Sequence, residues 1–498
     1  MNVNPITRLD YPDPDVIRVE DTYYMVSTTM HFMPGCEILQ SFDLVHWEHV
    51  TYVYETLDHT DAQQLKSGQN IYGQGMWAAS LRYHEGRFYI CFVANDTRKT
   101  YLYTSEKIDG PWKKQLIEGF YHDGSLLFDE DGRSYIVYGN DEIWITELNE
   151  DLTAPKKDGL HRLLVSDHKN PELGYEGSHI QKINGYYYIF LVHSLRDRWM
   201  RTEACFYSDS LEGEFTGGDV LCDDRGYCGQ GVAQGGIVDT PDGKWYAMLF
   251  QDSGAVGRIP ILLPVTWKDH FPVFGQNGHV PEEIEVHSTR PGYIYQPLVG
   301  SDDFCNGLLP RWQFNHDPDP RYYHLDALQG TYTITTREVC TELTQAVNTL
   351  TQRMSYPSCA AEVTVDASAL KEGDVAGLCA LQGCYAAVGI TKHHGKYEVL
   401  MLDKKEDGIL DMTEGTVVES HQMDFRLEAD FCNMKDEARC YYRVNKGDWL
   451  PIGTVHKLYF KLDHFTGCRF GLFCYAAEKT GGSACFRDFK YYDVDEIS

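Results

Sequence analysis

The sequence has few basic residues, no long apolar run and no segment with the apolar period of a helix. Lysine and arginine number 44 against 74 aspartates and glutamates, which gives a net charge of −30. So acidic a chain repels nucleic acid and anionic membrane surfaces, and we expect neither as a partner. No apolar stretch approaches the roughly 20 residues that a membrane-spanning helix needs. Neutral sugars are not repelled, so a carbohydrate partner stays open.

Three further signatures are missing. The fifteen cysteines include no Cys-x-x-Cys pair, so neither a zinc site nor a redox motif is indicated. There is no Gly-x-Ser-x-Gly elbow, the commonest sequence sign of a serine hydrolase. The N-terminus has neither the basic nor the apolar segment of a signal peptide. With an odd number of cysteines, these features predict a cytoplasmic protein whose thiols are reduced and mostly buried.

A short pattern is present five times. In each copy a turn is followed by an aromatic residue and an apolar run. The second turn residues are at 22, 86, 132, 185 and 243, so the intervals are 64, 46, 53 and 58 residues. In the last four copies this residue is glycine after Glu, Asp or Asn, and Asp-Gly and Asn-Gly are strong hairpin signals. Each interval has room for one four-stranded sheet, and five such sheets around an axis form a β-propeller.

The residues nine positions before these turn residues define a candidate site. On the innermost strands of a propeller they would all face the central funnel. Three of the five are carboxylates, the residue type that acid and base catalysis requires. The five positions are Asp13, Trp77, Asp123, Glu176 and Gln234.

The second part of the chain also consists of strand-like runs separated by turn signals. Runs at 361–365, 385–390 and 469–474 are rich in the β-branched, aromatic and small apolar residues of buried strands. We therefore predict an all-β chain. A five-bladed β-propeller occupies residues 1–297, and a two-sheet β-sandwich of the jelly-roll type occupies 298–498.

Several motifs together resemble glycoside hydrolase family 43 over essentially the whole chain. They are Asn4-Pro5-Ile6, Pro12-Asp13-Pro14, Met33-Pro34-Gly35, Met76-Trp77-Ala78, Asp123-Gly124-Ser125-Leu126, Glu176-Gly177-Ser178-His179-Ile180 and Gly235-Gly236-Ile237-Val238-Asp239-Thr240. The resemblance implies a five-bladed propeller, a concanavalin-like sandwich and an inverting mechanism. It further implies that Asp13 is the general base, Asp123 the orienting carboxylate and Glu176 the general acid.

The resemblance is closest to β-xylosidases and α-L-arabinofuranosidases. It implies an exo-acting hydrolase that releases xylose, arabinose or both from an oligosaccharide partner. Phe32 and Trp77 are the expected stacking faces for a sugar. The segment 286–292 is expected to return past the propeller axis and to bring Arg290 to the substrate pocket. Gln234 stands where relatives often have a histidine that binds a metal, so we predict substrate binding there and neither metal nor cofactor.

Two other classes of function stay open at this stage. One is a retaining five-bladed enzyme of the fructan type, whose two carboxyl groups would be only about 5 Å apart. The other is a propeller that binds sugars without turnover, which would not need all three carboxylates. The sequence ranks neither xyloside above arabinofuranoside nor one oligomeric state above another.

Overall fold

A computed structural model describes residues 2–413 and 415–493, and these residues are almost entirely β-strand. Residues 1 and 494–498, the outer ends of the two predicted domains, lie outside the described part. The predicted all-β class, five-bladed propeller and C-terminal sandwich are confirmed. The helical segments of the described part are four 3₁₀ turns: Lys66–Gly68, Gly254–Val256, Leu343–Gln345 and Cys432–Met434. None of these is a helix of the length and apolarity that could cross a bilayer.

Each propeller blade is an antiparallel sheet of four strands in sequence order, with the first strand innermost. Blade 1 contains Asp15–Val19, Thr22–Val26, Gly35–Ser41 and Glu48–Tyr54, and blade 2 contains Met76–His84, Arg87–Ala94, Lys99–Ser105 and Lys113–Ile117. Blade 3 contains Ser125–Phe128, Ser134–Asn140, Glu142–Leu148 and His161–Ser166, and blade 4 contains Glu176–Ile183, Tyr186–Ser194, Arg201–Ser208 and Thr216–Leu221. Blade 5 contains Val232–Asp239, Trp245–Asp252, Arg258–Lys268 and Phe271–Phe274.

The repeated turns of the sequence join the first and second strands of the blades. In blade 2, Glu85 and Gly86 have φ values of 48° and 77°, and in blade 4, Asn184 and Gly185 have 52° and 86°. Two successive positive φ values are the signature of a type I′ turn, whose twist matches that of the flanking strands. The turn residues therefore fix the register of each blade, and with it the side chains that face the axis.

The C-terminal part consists of two packed sheets. The first contains, in spatial order, Leu410–Met412, Lys396–Lys404, Ala386–His393, Asp374–Leu381, Arg469–Ala476, Leu350–Arg353, Gln313–Asn315 and Phe32–Met33, with Thr416–Val418 also paired to Lys396–Lys404. The second contains Tyr323–Asp326, Thr331–Thr335, Ser483–Asp493, Ser358–Asp366, Gln422–Asp430, Glu437–Arg443 and Leu450–Lys457. Apolar side chains from the facing sheets form the largest continuous core in the described residues.

The two units are connected by more than the polypeptide link. The short strand Phe32–Met33 leaves blade 1 and pairs with Gln313–Asn315 of the sandwich. Ala255 and Val256 of blade 5 belong to the core of the sandwich. The boundary predicted at 297 falls within 285–312, where the chain forms no strand, and that boundary stays a prediction. The first strand of the chain, Asn2–Val3, pairs with Glu283–Ile284 just before this segment.

Candidate active site

The structure brings the three predicted carboxylates together at one end of the propeller axis. Asp13 and Asp123 lie two residues before the first strands of blades 1 and 3, and Glu176 opens the first strand of blade 4. The backbone N–H of Gly177 donates to Asp123 Oδ2 at 3.0 Å, which ties blade 4 to blade 3. The two residues predicted beside them, Trp77 and Gln234, lie at the same ends of the first strands in blades 2 and 5.

The backbone at these positions departs from regular strand geometry. Asp13, Asp123 and Gln234 have φ values of 52°, 48° and 64°, a region that L-residues seldom adopt and that concentrates at functional sites. The pairing register also shifts at Trp77 and Gly177, and again around Gln234. A bulge of this kind re-aims a side chain. It turns these residues toward the axis at the point where regular pairing stops.

Asp13 has two strong partners. Arg258 Nη1 donates to its Oδ1 at 2.9 Å, and the Thr28 hydroxyl donates to its Oδ2 at 2.6 Å. Both the carboxylate and the guanidinium are buried, with exposed fractions of 6% and 2%. A buried carboxylate needs such a counter-charge to stay ionised. Arg258 therefore supports the ionised form that a general base requires.

Asp123 and Glu176 are neighbours in different environments. Burial raises the pKa of Asp123 to about 6; His122 opposes the shift, and Glu176 and Asp13 add to it. Glu176 is more accessible, with its side chain 20% exposed. The amide of Asn140 donates to Glu176 Oε2 at 2.9 Å. The accessible Glu176 can reach a substrate oxygen, and the buried Asp123 can orient Glu176 and place negative charge beside it.

His122 lies between these two carboxyl groups. Its Nε2 is 3.6 Å from Asp123 Oδ2 and 3.5 Å from Glu176 Oε2. Burial disfavours the charged imidazole, but the neighbouring carboxylates, with Asp123 first among them, outweigh it and raise the pKa of His122 to about 9. The imidazole is therefore a cation at neutral pH. Sequence reasoning missed this residue because its position relative to the turn is one away from the repeated register.

Aromatic side chains from both units line the same region. The Trp77 ring lies 5.8 Å from the ring of His122 and 5.6 Å from the ring of Phe465, measured between centroids. Phe465 belongs to the sandwich, and its ring centroid is 4.2 Å from the guanidinium carbon of Arg258. The sandwich thus supplies part of the wall around the carboxylates.

Two predicted substrate-binding residues have partners other than the three carboxylates. Phe32 is only 1% exposed, and its ring packs 3.4 Å from the Arg469 guanidinium. Its strand pairs with Gln313–Asn315 of the sandwich. Arg290 forms an exposed ion pair with Asp21 and covers the ring of Phe42. The structure thus does not bring Arg290 to the carboxylates, and substrate binding by Phe32 stays a prediction.

The error over Arg290 has a topological cause. Its segment does not return past the axis: Thr289 donates its backbone N–H to Phe42 O at 2.8 Å, along the outside of blade 1. The arginine beside Asp13 is instead Arg258, the first residue of the third strand of blade 5. First and third strands of an antiparallel blade begin at the same end. The residues that begin third strands, which include Arg201 and Arg258, could therefore have been predicted to lie near the carboxylates.

The residues at Gln234 do not suit the metal that family resemblance suggests. The Gln234 side chain packs against Gly177, and its backbone N–H donates to Glu203 Oε2 at 2.7 Å. Burial raises the pKa of Glu203 well above its ordinary value, so this carboxyl group is neutral. A carboxyl group must lose its proton before it binds a hard cation, and the burial of Glu203 opposes that loss. The expectation of no metal stays a prediction.

One other group in the described part has ligand atoms close enough for an ion. One atom each from His122, Asp123 and Glu176 lie within 4.8 Å of one another. A protonated imidazole has no lone pair to offer at Nε2 and repels a cation. We therefore do not assign a metal to this group.

Comparison with known proteins identifies the chain. The sequence model for glycosyl hydrolases family 43 matches residues 3–272, and that for the β-xylosidase C-terminal concanavalin A-like domain matches 301–492. The chain belongs to glycosyl hydrolase family 43. It is therefore a glycoside hydrolase of an inverting family. This membership sets aside both the retaining fructan-type enzyme and the propeller that only binds sugars.

Individual family 43 relatives cover nearly the whole chain. A solved structure described as a bifunctional GH43-CE protein of Bacteroides eggerthii is 42% identical, with a TM-score of 0.92, over 99% of this chain and 63% of its own. A β-xylosidase of Formosa agariphila is 26% identical over 99% of this chain and 89% of its own length. A xylosidase/arabinosidase of Butyrivibrio fibrisolvens is 24% identical over 99% of each. The chain thus spans less than two thirds of the bifunctional relative.

Proposed function

We propose that this family 43 hydrolase is an exo-acting enzyme that releases xylose, arabinose or both from the ends of oligosaccharides. The observation that carries the proposal is the meeting of Asp13, Asp123 and Glu176 at one end of the axis, each with different partners. The names of the relatives, β-xylosidase and xylosidase/arabinosidase, support the sugar class.

The carboxyl groups divide the reaction among them. Asp13, paired with Arg258, takes a proton from the attacking water. Glu176, more accessible, donates a proton to the leaving oxygen as the glycosidic bond breaks. Asp123 orients Glu176 and supplies negative charge near it. A single displacement inverts the anomeric carbon, and inverting enzymes hold base and acid roughly 6.5–9.5 Å apart to admit the water.

The wall contributed by the sandwich supports exo action. Phe465 stands beside Trp77 and Arg258, where an open propeller cleft would let a long chain pass. Aromatic faces also stack well on the apolar faces of sugar rings. A site closed on one side admits the end of a chain and excludes its interior, so single sugars are the expected products.

Paired assays test this proposal. The wild-type protein is offered 4-nitrophenyl β-D-xyloside and 4-nitrophenyl α-L-arabinofuranoside, and proton NMR follows the anomer of the first product. We expect release from at least one substrate with inverted configuration. Asp13→Asn, which keeps the shape of the side chain but removes the base that every substrate needs, controls for contaminating activity. No release from either substrate, or a retained anomer, would contradict the proposal.

We also propose a cytoplasmic location and a role in xylan degradation. All fifteen cysteines lie within the described residues and are free thiols there, and most are buried. Reduced thiols are typical of the cytosol. Fractionation of the source cells, followed by immunoblotting, tests the location, and recovery in the culture medium or periplasm would contradict it.

A further inference from the structure

We propose that His122 is a positioning residue for the general acid: from its place between Asp123 and Glu176 it holds the two carboxyl groups in their relative positions and sets the pH range of the reaction. The proposal rests on the proposed roles of these carboxyl groups, and it concerns a residue outside the three-carboxylate set.

The first support is geometric. His122 Nε2 lies almost equally far from the two carboxyl groups, at 3.6 Å from Asp123 and 3.5 Å from Glu176. This nitrogen is buried and has no closer hydrogen-bond partner among the described residues. The backbone of His122 is fixed as well, because Gly139 N–H donates to its carbonyl oxygen at 3.0 Å. Nε2 thus faces the two carboxyl groups without another hydrogen-bond partner in the described part of the chain.

The second support is the charge around the ring. Asp123 faces it from its own segment, Glu176 from blade 4 and Asp13 from blade 1, and all three raise the pKa of the imidazole. The uncharged ring of Trp77 covers it from blade 2. Asn140, on the second strand of blade 3, contributes only a neutral amide to Glu176.

Two of the buried arginines also lie near the site. Arg258 is paired with Asp13, and Arg201 is paired with Asp252. The charges of Glu176 and Asp13 also act on Arg201, but neither arginine forms an ion pair with Asp123 or Glu176 among the described residues. In the described part of the chain, His122 is the basic side chain within 4 Å of both carboxyl groups.

A cation at this distance has a definite effect on the acid. Asp123 repels the negative form of Glu176 and favours the protonated form, whereas an imidazolium attracts the negative form. His122 and Asp123 thus act on the acid in opposite directions. Removing the positive charge should move the alkaline limb of the activity profile to higher pH.

The experiment compares pH profiles of kcat/KM for the wild type, His122→Phe and His122→Asn on an alkyl glycoside of the sugar that the wild type releases, because an alkyl leaving group needs the proton of the general acid. Phenylalanine keeps a ring against Trp77 without charge, and asparagine covers the case in which the larger change disturbs folding. His161→Phe is the matched control: this histidine is exposed on the outer strand of the same blade. We expect the alkaline limb to move up by about one pH unit in both His122 variants and to stay in place in the control.

A second readout does not depend on activity. Histidine Cε1–H resonances, assigned by comparison with His122→Phe, should show the His122 ring protonated from pH 5 to pH 8. An unmoved alkaline limb in folded variants, or a ring that is neutral at pH 7, would overturn the proposal. If the wild type cleaves neither substrate, the proposed function fails, and the resonance still decides whether His122 is a cation.

Discussion

The guanidinium carbon of Arg258 lies 4.2 Å from the ring centroid of Phe465, so a propeller residue and a sandwich residue are in contact beside the candidate base. The same guanidinium donates to Asp13 at 2.9 Å. A cation over an aromatic face is stabilised when both are shielded from water. The sandwich therefore closes one side of the pocket and also stabilises the position of Arg258, the ion-pair partner of Asp13.

Replacement of Arg258 tests this relationship. Arg258→Met leaves Asp13 buried without its counter-charge, and we expect kcat/KM to fall about 100-fold or more, the scale of a lost general base. Arg290→Met is the matched control, because Arg290 pairs with Asp21 in an exposed position. Its kcat/KM should stay within about twofold of wild type, since exposed ion pairs contribute little. Steady-state kinetics decide, and equal losses in the two variants would contradict the structural assignment.

The contribution of the sandwich to the pocket is tested at Phe465. Phe465→Ala removes an aromatic contact with Trp77 and Arg258, and we expect kcat/KM to fall about tenfold. Leu462→Ala is the control in the same loop, because Leu462 is 72% exposed and should be neutral. Oligosaccharide digests resolved by chromatography add a second measurement. Internal cleavage by Phe465→Ala would support the role of this ring in exo action, and unchanged kinetics would exclude any role.

The acid and the base should respond differently to the leaving group. Glu176→Ala removes the proton donor, so kcat/KM should fall by roughly 10³ on oligosaccharides and much less on aryl glycosides, whose leaving groups depart without protonation. Asp13→Ala removes the base, and both substrate types should suffer alike because each needs the attacking water. Kinetics on matched alkyl and aryl substrates measure this. Retention of the anomeric configuration by the wild type would require a double displacement, and Asp13 would then be a nucleophile.

A histidine cluster at the boundary between the units predicts how stability depends on pH. The ring of His464 stacks on that of Tyr72 at 3.9 Å, and His31 and His316 adjoin them. Burial lowers the pKa of His464 to about 4, while Asp463 opposes the shift. An unfolded histidine titrates near 6.5, so between these values the unfolded chain binds a proton that the folded chain does not. Stability from this group is thus present above pH 6.5 and lost as the pH falls toward 4.

Unfolding by urea at pH 7 and pH 5 checks this prediction. From the shift of His464 alone, the free energy of unfolding should be lower by about 2 kcal/mol at pH 5. His464→Phe keeps a ring against Tyr72 and should remove this part of the pH dependence. His287→Phe, at an exposed position, should leave it unchanged. Equal pH dependence in wild type and His464→Phe would show that other groups govern acid stability.

The sequence predicted the site residues that share the repeated hairpin register, and it missed those that lie outside this register. The offset from each hairpin located Asp13, Asp123 and Glu176 because the first two strands of every blade pair in the same way. The hairpin loops themselves differ, with two residues in blades 1, 2 and 4 and five in blades 3 and 5. Arg258 and His122 lie outside that offset, on a third-strand start and beside a first-strand start. Phe465 comes from the other unit, through a contact between residues far apart in sequence. No local pattern encodes such a contact, since it depends on how the finished units pack.

The strand Phe32–Met33 has a consequence for how the chain is made. Its partner, Gln313–Asn315, and the loop that carries Phe465 are synthesised long after it. On a ribosome the propeller strands emerge first. This segment of blade 1 nevertheless cannot pair until Gln313–Asn315 has been synthesised, and the pocket is incomplete until Phe465 has been added. A nascent chain released before residue 465 would therefore lack a finished site, and the two units are not interchangeable modules for gene fusion.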